Sequence, residues 1–195
     1  MNTVDLRPPY LDPQADALLA AAPMPRKALL LDRDGVINLN HGYVHTPERT
    51  DWIPGIFELV AQAHQQNMLV VVVTNQAGIG RGFYSEDEFL AYSAWVHAQF
   101  AERGTPLLAT FWCPHHPDAG SGKYKIDCAC RKPNPGMLQA AAERFQLELP
   151  ASWMIGDKPS DMAAATAAGV GRRYLLEDPG GLAAITRALG MMALR

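Results

Sequence analysis

Residues 28–35 read Ala-Leu-Leu-Leu-Asp-Arg-Asp-Gly, and residues 68–74 read Met-Leu-Val-Val-Val-Val-Thr. Each is a short run apolar at consecutive positions, and each ends on polar residues. Side chains alternate across a strand, so a strand apolar at every position is covered on both faces, as in a parallel sheet between helix layers. Four consecutive valines are too β-branched and too short a run for a buried helix. Working outward, Leu107–Trp112, Trp153–Gly156 and Arg173–Leu176 are further strand candidates. Helical patterns fall between them. Ile56–Gln66 follows Pro54-Gly55, and Glu86–Arg103 follows Ser85, with Glu88 completing a capping box. Asn134-Pro135 reads as cap and first residue of a helix over Gly136–Phe145. Pro159–Ala168 stops at Gly169, and Leu182–Leu189 forms a last helix. Strand alternating with helix predicts an α/β fold, a doubly wound parallel sheet of Rossmann-like type.

The 195 residues suit one domain, here 26–195, and 48% hydrophobic residues suffice for a core. Residues 1–25, broken by Asp5, Arg7, Asp12 and Asp16, are expected to form a poorly ordered arm with a short helix over Pro13–Ala22. They lack the basic and apolar regions of a secretion signal, and no run approaches the roughly 20 apolar residues of a membrane span. A cytoplasmic protein without a membrane partner is the expectation. A net charge of −3 provides no positive field for a nucleic-acid backbone. Positive contacts to an anionic ligand must therefore be local.

Ligands of open α/β sheets bind beyond the carboxyl ends of the strands. Those ends carry Asp32 and Asp34, then Thr74, Asn75 and Gln76, then Asp157, Lys158 and Asp161, while Arg131-Lys132-Pro133 precedes a helix. Carboxylates converging from distant segments repel one another unless a cation joins them. An all-oxygen set suits Mg²⁺, which takes one or two carboxylates together with substrate phosphate. Lys132 and Thr74 are then placed to hold phosphoryl oxygens. A second cluster, Cys113-x-His115-x₁₂-Cys128-x-Cys130, offers three thiolates and one imidazole in a loop over residues 113–130. Such a closed tetrahedral set fits a structural Zn²⁺, with His116 as the competing ligand. His64 and His97 fall within helices and are expected to be packing or surface residues.

Asp32-Arg33-Asp34-Gly35-Val36-Ile37-Asn38, Thr74-Asn75-Gln76, Lys132 in Arg-Lys-Pro and Gly156-Asp157-Lys158-Pro159-Ser160-Asp161 resemble the four motifs of the haloacid dehalogenase (HAD) phosphohydrolases. His41-Gly42-Tyr43, Gln76–Gly82 and the Cys113–Pro133 segment resemble one group within them, the heptose-bisphosphate and histidinol-phosphate phosphatases. The resemblance implies a capless HAD-like domain that removes the 7-phosphate of D-glycero-D-manno-heptose 1,7-bisphosphate in activated-heptose and lipopolysaccharide synthesis, with histidinol phosphate as the alternative substrate. It implies Asp32 as nucleophile, Asp34 as acid and base, Mg²⁺ on Asp32, the Asp34 carbonyl and Asp157, and Asp161 in support. Asn40, His41, Gly42, Tyr43, Asn75, Gln76, Arg131 and Lys158 would face substrate, with Arg131 the first choice for a second phosphate. A monomer is expected. Two positions depart from the pattern: Val36 stands where many members carry Thr, and Asn40 where heptose enzymes often carry an acid.

Overall fold

The valine run lies near the middle of the sheet, apolar side chains covered on both faces. In a computed structural model, which describes residues 6–191, the strands are β1 (Tyr10–Leu11), β2 (Lys27–Leu31), β3 (Met68–Asn75), β4 (Ala109–Cys113), β5 (Trp153–Gly156) and β6 (Arg172–Leu175). The helices are α1 (Ala15–Ala21), α2 (Ile56–Gln65), α3 (Ala77–Gly80), α4 (Glu86–Glu102), α5 (Gly136–Phe145), α6 (Pro159–Ala168) and α7 (Leu182–Gly190). The sheet order is β1-β4-β3-β2-β5-β6. β2 through β6 are parallel. The chain winds outward from β2 through β3 to β4, then returns to add β5 and β6 on the other side. That reversal puts the topological switch point at the carboxyl end of β2.

Alternation sorts each central strand between two cores. Leu29, Leu31, Val70 and Val72 pack under α2, α4 and α7. Ala28, Leu30, Val71 and Val73 pack under α5 and α6. All eight side chains are buried, which is why the runs carry no polar position.

From residue 6 onward the amino-terminal segment is packed on the domain rather than the poorly ordered arm expected, and it adds an antiparallel edge strand to the parallel sheet. β1 pairs antiparallel with the edge of β4, Tyr10 opposite Thr110, and α1 lies within the helix expected over Pro13–Ala22. Residues 1–5 lie outside the described residues. The attachment is polar and specific. Asp12, buried, accepts from the Gln14 amide at 2.9 Å and lies 2.9 Å from His97 Nδ1. His97 Nε2 in turn meets Thr110 Oγ1 at 2.9 Å. His97 is thus a packing residue as expected, but one with a buried polar task. Burial works against the Asp12 charge, yet the His97 and Gln14 bonds hold its carboxyl below the usual range. A lowered carboxylate contributes stability near neutrality, which is lost as pH falls through its folded value. Asp12→Ala leaves His97 Nδ1 unpaired in the interior, at a cost of about 1–3 kcal/mol. Calorimetry at pH 7 should show that loss as a lower Tm, and an unchanged Tm would remove the clamp.

Candidate active site

Asp32 follows directly on β2, at the switch point, and its backbone N–H still donates to Ile155 at 2.9 Å. Its Oδ1 lies 2.9 Å from Lys132 Nζ. Lys132 reaches the same point from the segment before α5, and it also meets Asp161 Oδ1 at 2.6 Å and the Val73 carbonyl at 2.8 Å. Asn75 holds the lysine's backbone from both sides, accepting from Lys132 N at 3.0 Å and donating to Lys132 O at 2.9 Å. Asp161 Oδ2 accepts from the Lys158 amide at 3.0 Å.

Asp32, Asp157 and Asp161 bring carboxylate oxygens within 4.8 Å of one another. One buried ammonium cannot balance three carboxylates. Asp32 sits below the usual carboxylate range: burial opposes its charge, but Lys132, Lys158 and the Arg33 amide together outweigh burial. Asp157 is pushed up to about 6, by burial first and by the Asp32 charge second. Its Oδ1 is buried and has no hydrogen-bond partner among the described residues. An orphaned carboxylate oxygen beside excess negative charge fits a divalent, oxygen-seeking ion. Gly35 keeps that space open. Its φ of +100° suits glycine, and a Cβ there would fall 2.4 Å from Asp157 Oδ2.

Asp34 is held apart from this cluster. Arg33 Nη2 lies 2.8 Å from Asp34 Oδ2, and the Asn38 and Gln76 amides each donate to the same carboxylate at 3.1 Å. Arg33 is buried, its Nη2 also 2.5 Å from the Val44 carbonyl and its guanidinium 5.0 Å from the Tyr92 ring centroid. Alternation past the strand end turns Arg33 away from the cavity and toward the α4 layer, a direction the Asp-x-Asp spacing already contained.

A cavity of about 310 Å³ opens over these groups. Asp32, Asp34, Thr74, Asn75, Gln76, Lys132 and Asp161 line its base, with Asn40, Gly42, Tyr43 and Lys158 also along the wall. Two residues expected to face substrate make other contacts in this structure. His41 Nε2 pairs with Asp51 at 2.7 Å on the surface, and Arg131 donates to the His115 carbonyl at 3.0 Å. Neither lines the cavity. Tyr84, Gly78 and Ser160 line it as well, although none of them was named as a site residue. Tyr43 is bridged to Arg81, whose guanidinium also lies over Phe83.

Behind Lys132, the four expected side chains of the second cluster meet. Cys113 Sγ is 3.5 Å from His115 Nδ1 and from Cys128 Sγ, and 3.1 Å from Cys130 Sγ. Cys130 Sγ is 3.2 Å from Cys128 Sγ and 3.4 Å from His115 Nδ1. All four are buried. Tetrahedral coordination with metal–sulfur bonds near ~2.3 Å sets sulfur–sulfur edges of about 3.8 Å. The observed sulfur separations, 3.1–3.5 Å, are somewhat tighter than that edge, and the four ligand atoms converge closely enough that the cluster can hold a metal. His116 is no ligand here: its Nδ1 accepts from the Asp118 and Ala119 amides. Asn134 corrects a further expectation. Rather than capping α5, it donates to the Cys128 carbonyl at 2.8 Å and ties the loop to the helix start.

Residues 129–173 match the HAD-hydrolase-like family model. Over 155 residues the chain is 50% identical to the D-glycero-alpha-D-manno-heptose-1,7-bisphosphate 7-phosphatase of Burkholderia mallei, covering 80% of this chain and 82% of that one. It is 45% identical to the beta-anomer enzyme of Vibrio cholerae, over 78% of this chain and 82% of that one. The crystal structure of D,D-heptose 1,7-bisphosphate phosphatase from B. bronchiseptica, complexed with magnesium and phosphate, superposes with a TM-score of 0.71 at 32% identity, covering 84% and 97% of the two chains. The chain belongs to the heptose-bisphosphate phosphatase family of HAD-like hydrolases. For a HAD phosphatase, the two kinds of loop residue here had unequal signals. Asp32, Asp34, Thr74, Lys132 and Asp157 stand in recognisable motifs. Tyr84 stands in none, and only its hydrogen bond to Gln76, at 2.5 Å, marks it.

Proposed function

We propose that this chain is a Mg²⁺-dependent phosphatase that removes the 7-phosphate of D-glycero-D-manno-heptose 1,7-bisphosphate. The observation that carries the reading is the buried Asp32–Lys132–Asp161 chain beside the orphaned Asp157 oxygen, at the base of the cavity. The family relationship narrows the substrate class. Asp32 is the nucleophile. Its carboxylate forms a bond to phosphorus as the bond from phosphorus to the sugar O7 breaks, and Asp34 gives that oxygen its proton. Water then attacks the aspartyl phosphate, Asp34 takes a proton back, and phosphate leaves with Asp32 restored. Lys132 and the Thr74 hydroxyl face the phosphoryl oxygens, where charge develops. Asp32 and Asp157, with the Asp34 carbonyl, would hold Mg²⁺, which when bound supplies charge neutralisation between carboxylate and phosphate dianion. The cysteine–histidine cluster is read as a structural Zn²⁺ site, and the working form as a cytoplasmic monomer.

The test is phosphate release with Mg²⁺ from heptose 1,7-bisphosphate and from histidinol phosphate, with the heptose product identified by NMR. The heptose 1-phosphate should be the product, at the higher kcat/KM. A preference for histidinol phosphate would overturn the substrate assignment. Nothing in the site favours histidinol phosphate.

The phosphate left on the sugar needs a cation. Lys158 is assigned that role because it lines the cavity, whereas Arg131 does not: its half-exposed ammonium is only loosely paired, 3.7 Å from Asp157. Solvent screens such a group, so Lys158→Ala should cost roughly 3- to 10-fold in kcat/KM for the bisphosphate. A monophosphate such as histidinol phosphate should lose less. Arg131→Ala, acting through the loop, should lower both alike. Equal losses for Lys158→Ala on both substrates would reassign it to the reacting phosphate.

A further inference from the structure

One buried amide organises the cavity wall beside Asp34. Gln76 Nε2 donates to Asp34 Oδ2 at 3.1 Å and to Thr74 Oγ1 at 2.8 Å. Its Oε1 accepts from the Tyr84 hydroxyl at 2.5 Å and lies 3.3 Å from Arg33 Nη2. Both amide protons and the carbonyl are thus engaged, and the partners decide which way the amide points. Turned over, Gln76 would aim N–H groups at the Arg33 guanidinium and its carbonyl at the Asp34 carboxylate. Arg33 makes only the longer contact and is already bound to Asp34 and the Val44 carbonyl. The Tyr84 hydroxyl is therefore the principal anchor of the Gln76 carbonyl.

Tyr84 is itself placed with little freedom. It is buried, and its ring stacks on His45 with centroids 4.4 Å apart. It passes so close over Gly78 that a Cβ there would fall 2.3 Å from the ring. Burial pushes the phenol well above its usual range, so it keeps its proton and donates throughout the working pH. We infer that Tyr84 is a positioning residue for proton transfer: through the Gln76 amide it aims the Asp34 carboxyl at the sugar oxygen. The inference rests on the reading of Asp34 as the acid.

A poor leaving group separates this role from a structural one. An alkoxide must be protonated as it departs, whereas p-nitrophenolate leaves without a proton. Single-turnover release, of heptose 1-phosphate from the bisphosphate and of p-nitrophenolate from p-nitrophenyl phosphate, reports the first transfer alone. Tyr84→Phe keeps the ring and removes only the hydroxyl. General acid catalysis contributes about 10²- to 10⁴-fold, so partial misaiming should slow the sugar reaction about tenfold. The p-nitrophenyl reaction should slow at least about fivefold less, with KM for the sugar little changed. Asp34→Asn, measured alongside, should show the same selectivity more strongly. If Asp34→Asn slows both reactions equally, the acid assignment falls and the inference with it. If Asp34→Asn is selective but Tyr84→Phe is not, or if Tyr84→Phe instead raises KM, only the role of Tyr84 is overturned.

Discussion

Asp32→Asn is expected to abolish phosphate release while leaving the sheet folded. The substituted amide is nearly isosteric, and its carbonyl still accepts from Lys132 Nζ, now 2.9 Å from Asp32 Oδ1. Lys132 also keeps Asp161 at 2.6 Å and the Val73 carbonyl at 2.8 Å. Removing one of three crowded carboxylates relieves repulsion on Asp157, so no large loss of Tm is expected. What disappears is the anionic oxygen that bonds to phosphorus. Losing a catalytic nucleophile costs about 10⁶-fold where it has been measured in a covalent hydrolase, and at least about 10³-fold is expected here. Turnover above about 1% of wild type, with a preparation shown free of wild-type enzyme, would refute covalent catalysis by Asp32. Beryllofluoride bound to Asp32 in the wild-type protein would support it independently.

The second large effect is expected at the metal loop. Cys130 is followed by Arg131 and Lys132, so an ion held by Cys113, His115, Cys128 and Cys130 would also set the path of Lys132. The neighbouring bonds point the same way. Arg131 is tied to His115, Asn134 to Cys128, and the Gly136 amide to the Ala129 carbonyl at 3.0 Å. A structural zinc is worth about 10–16 kcal/mol in small peptides, more than this loop gains from its own apolar contacts. Cys128→Ser and Cys130→Ser should therefore empty the site and raise KM while lowering kcat. The loss should not be total, because Asn75 grips the Lys132 backbone independently. A combined fall on the order of 10- to 100-fold in kcat/KM is expected, the range typical when support behind a site residue is removed. Elemental analysis should find about one zinc per wild-type chain and little in the variants. A zinc-free protein with full activity would break the coupling between metal and lysine.

The sheet was legible because burial on both faces leaves its mark on every residue. Leu29 and Leu31 go to one core, Ala28 and Leu30 to the other, and no polar residue can interrupt such a strand. β1 was not legible: two residues have no period, and what makes Tyr10–Leu11 a strand is the distant edge of β4. The capping box at Ser85 was readable because both partners are local, Glu88 N to Ser85 Oγ at 3.1 Å. Asn134 was misread for the opposite reason, since its partner, the Cys128 carbonyl, lies outside the helix it precedes.

The site divides along the same line. Residue types at strand ends, and the spacing of cysteines, are properties of the chain, and they determined by themselves that acids, a lysine and a metal-binding loop would converge. Which way a loop side chain turns depends on partners far away in sequence. His41 turns to Asp51 and Arg131 to His115. Periodicity cannot encode such choices, because a loop has none and each direction is settled by whichever acceptor the packed elements bring within reach. The sequence by itself thus determined the α/β architecture and the chemical groups of the site. Only the tertiary structure decided that Lys158 rather than Arg131 faces the cavity, and that Tyr84 anchors the amide beside Asp34.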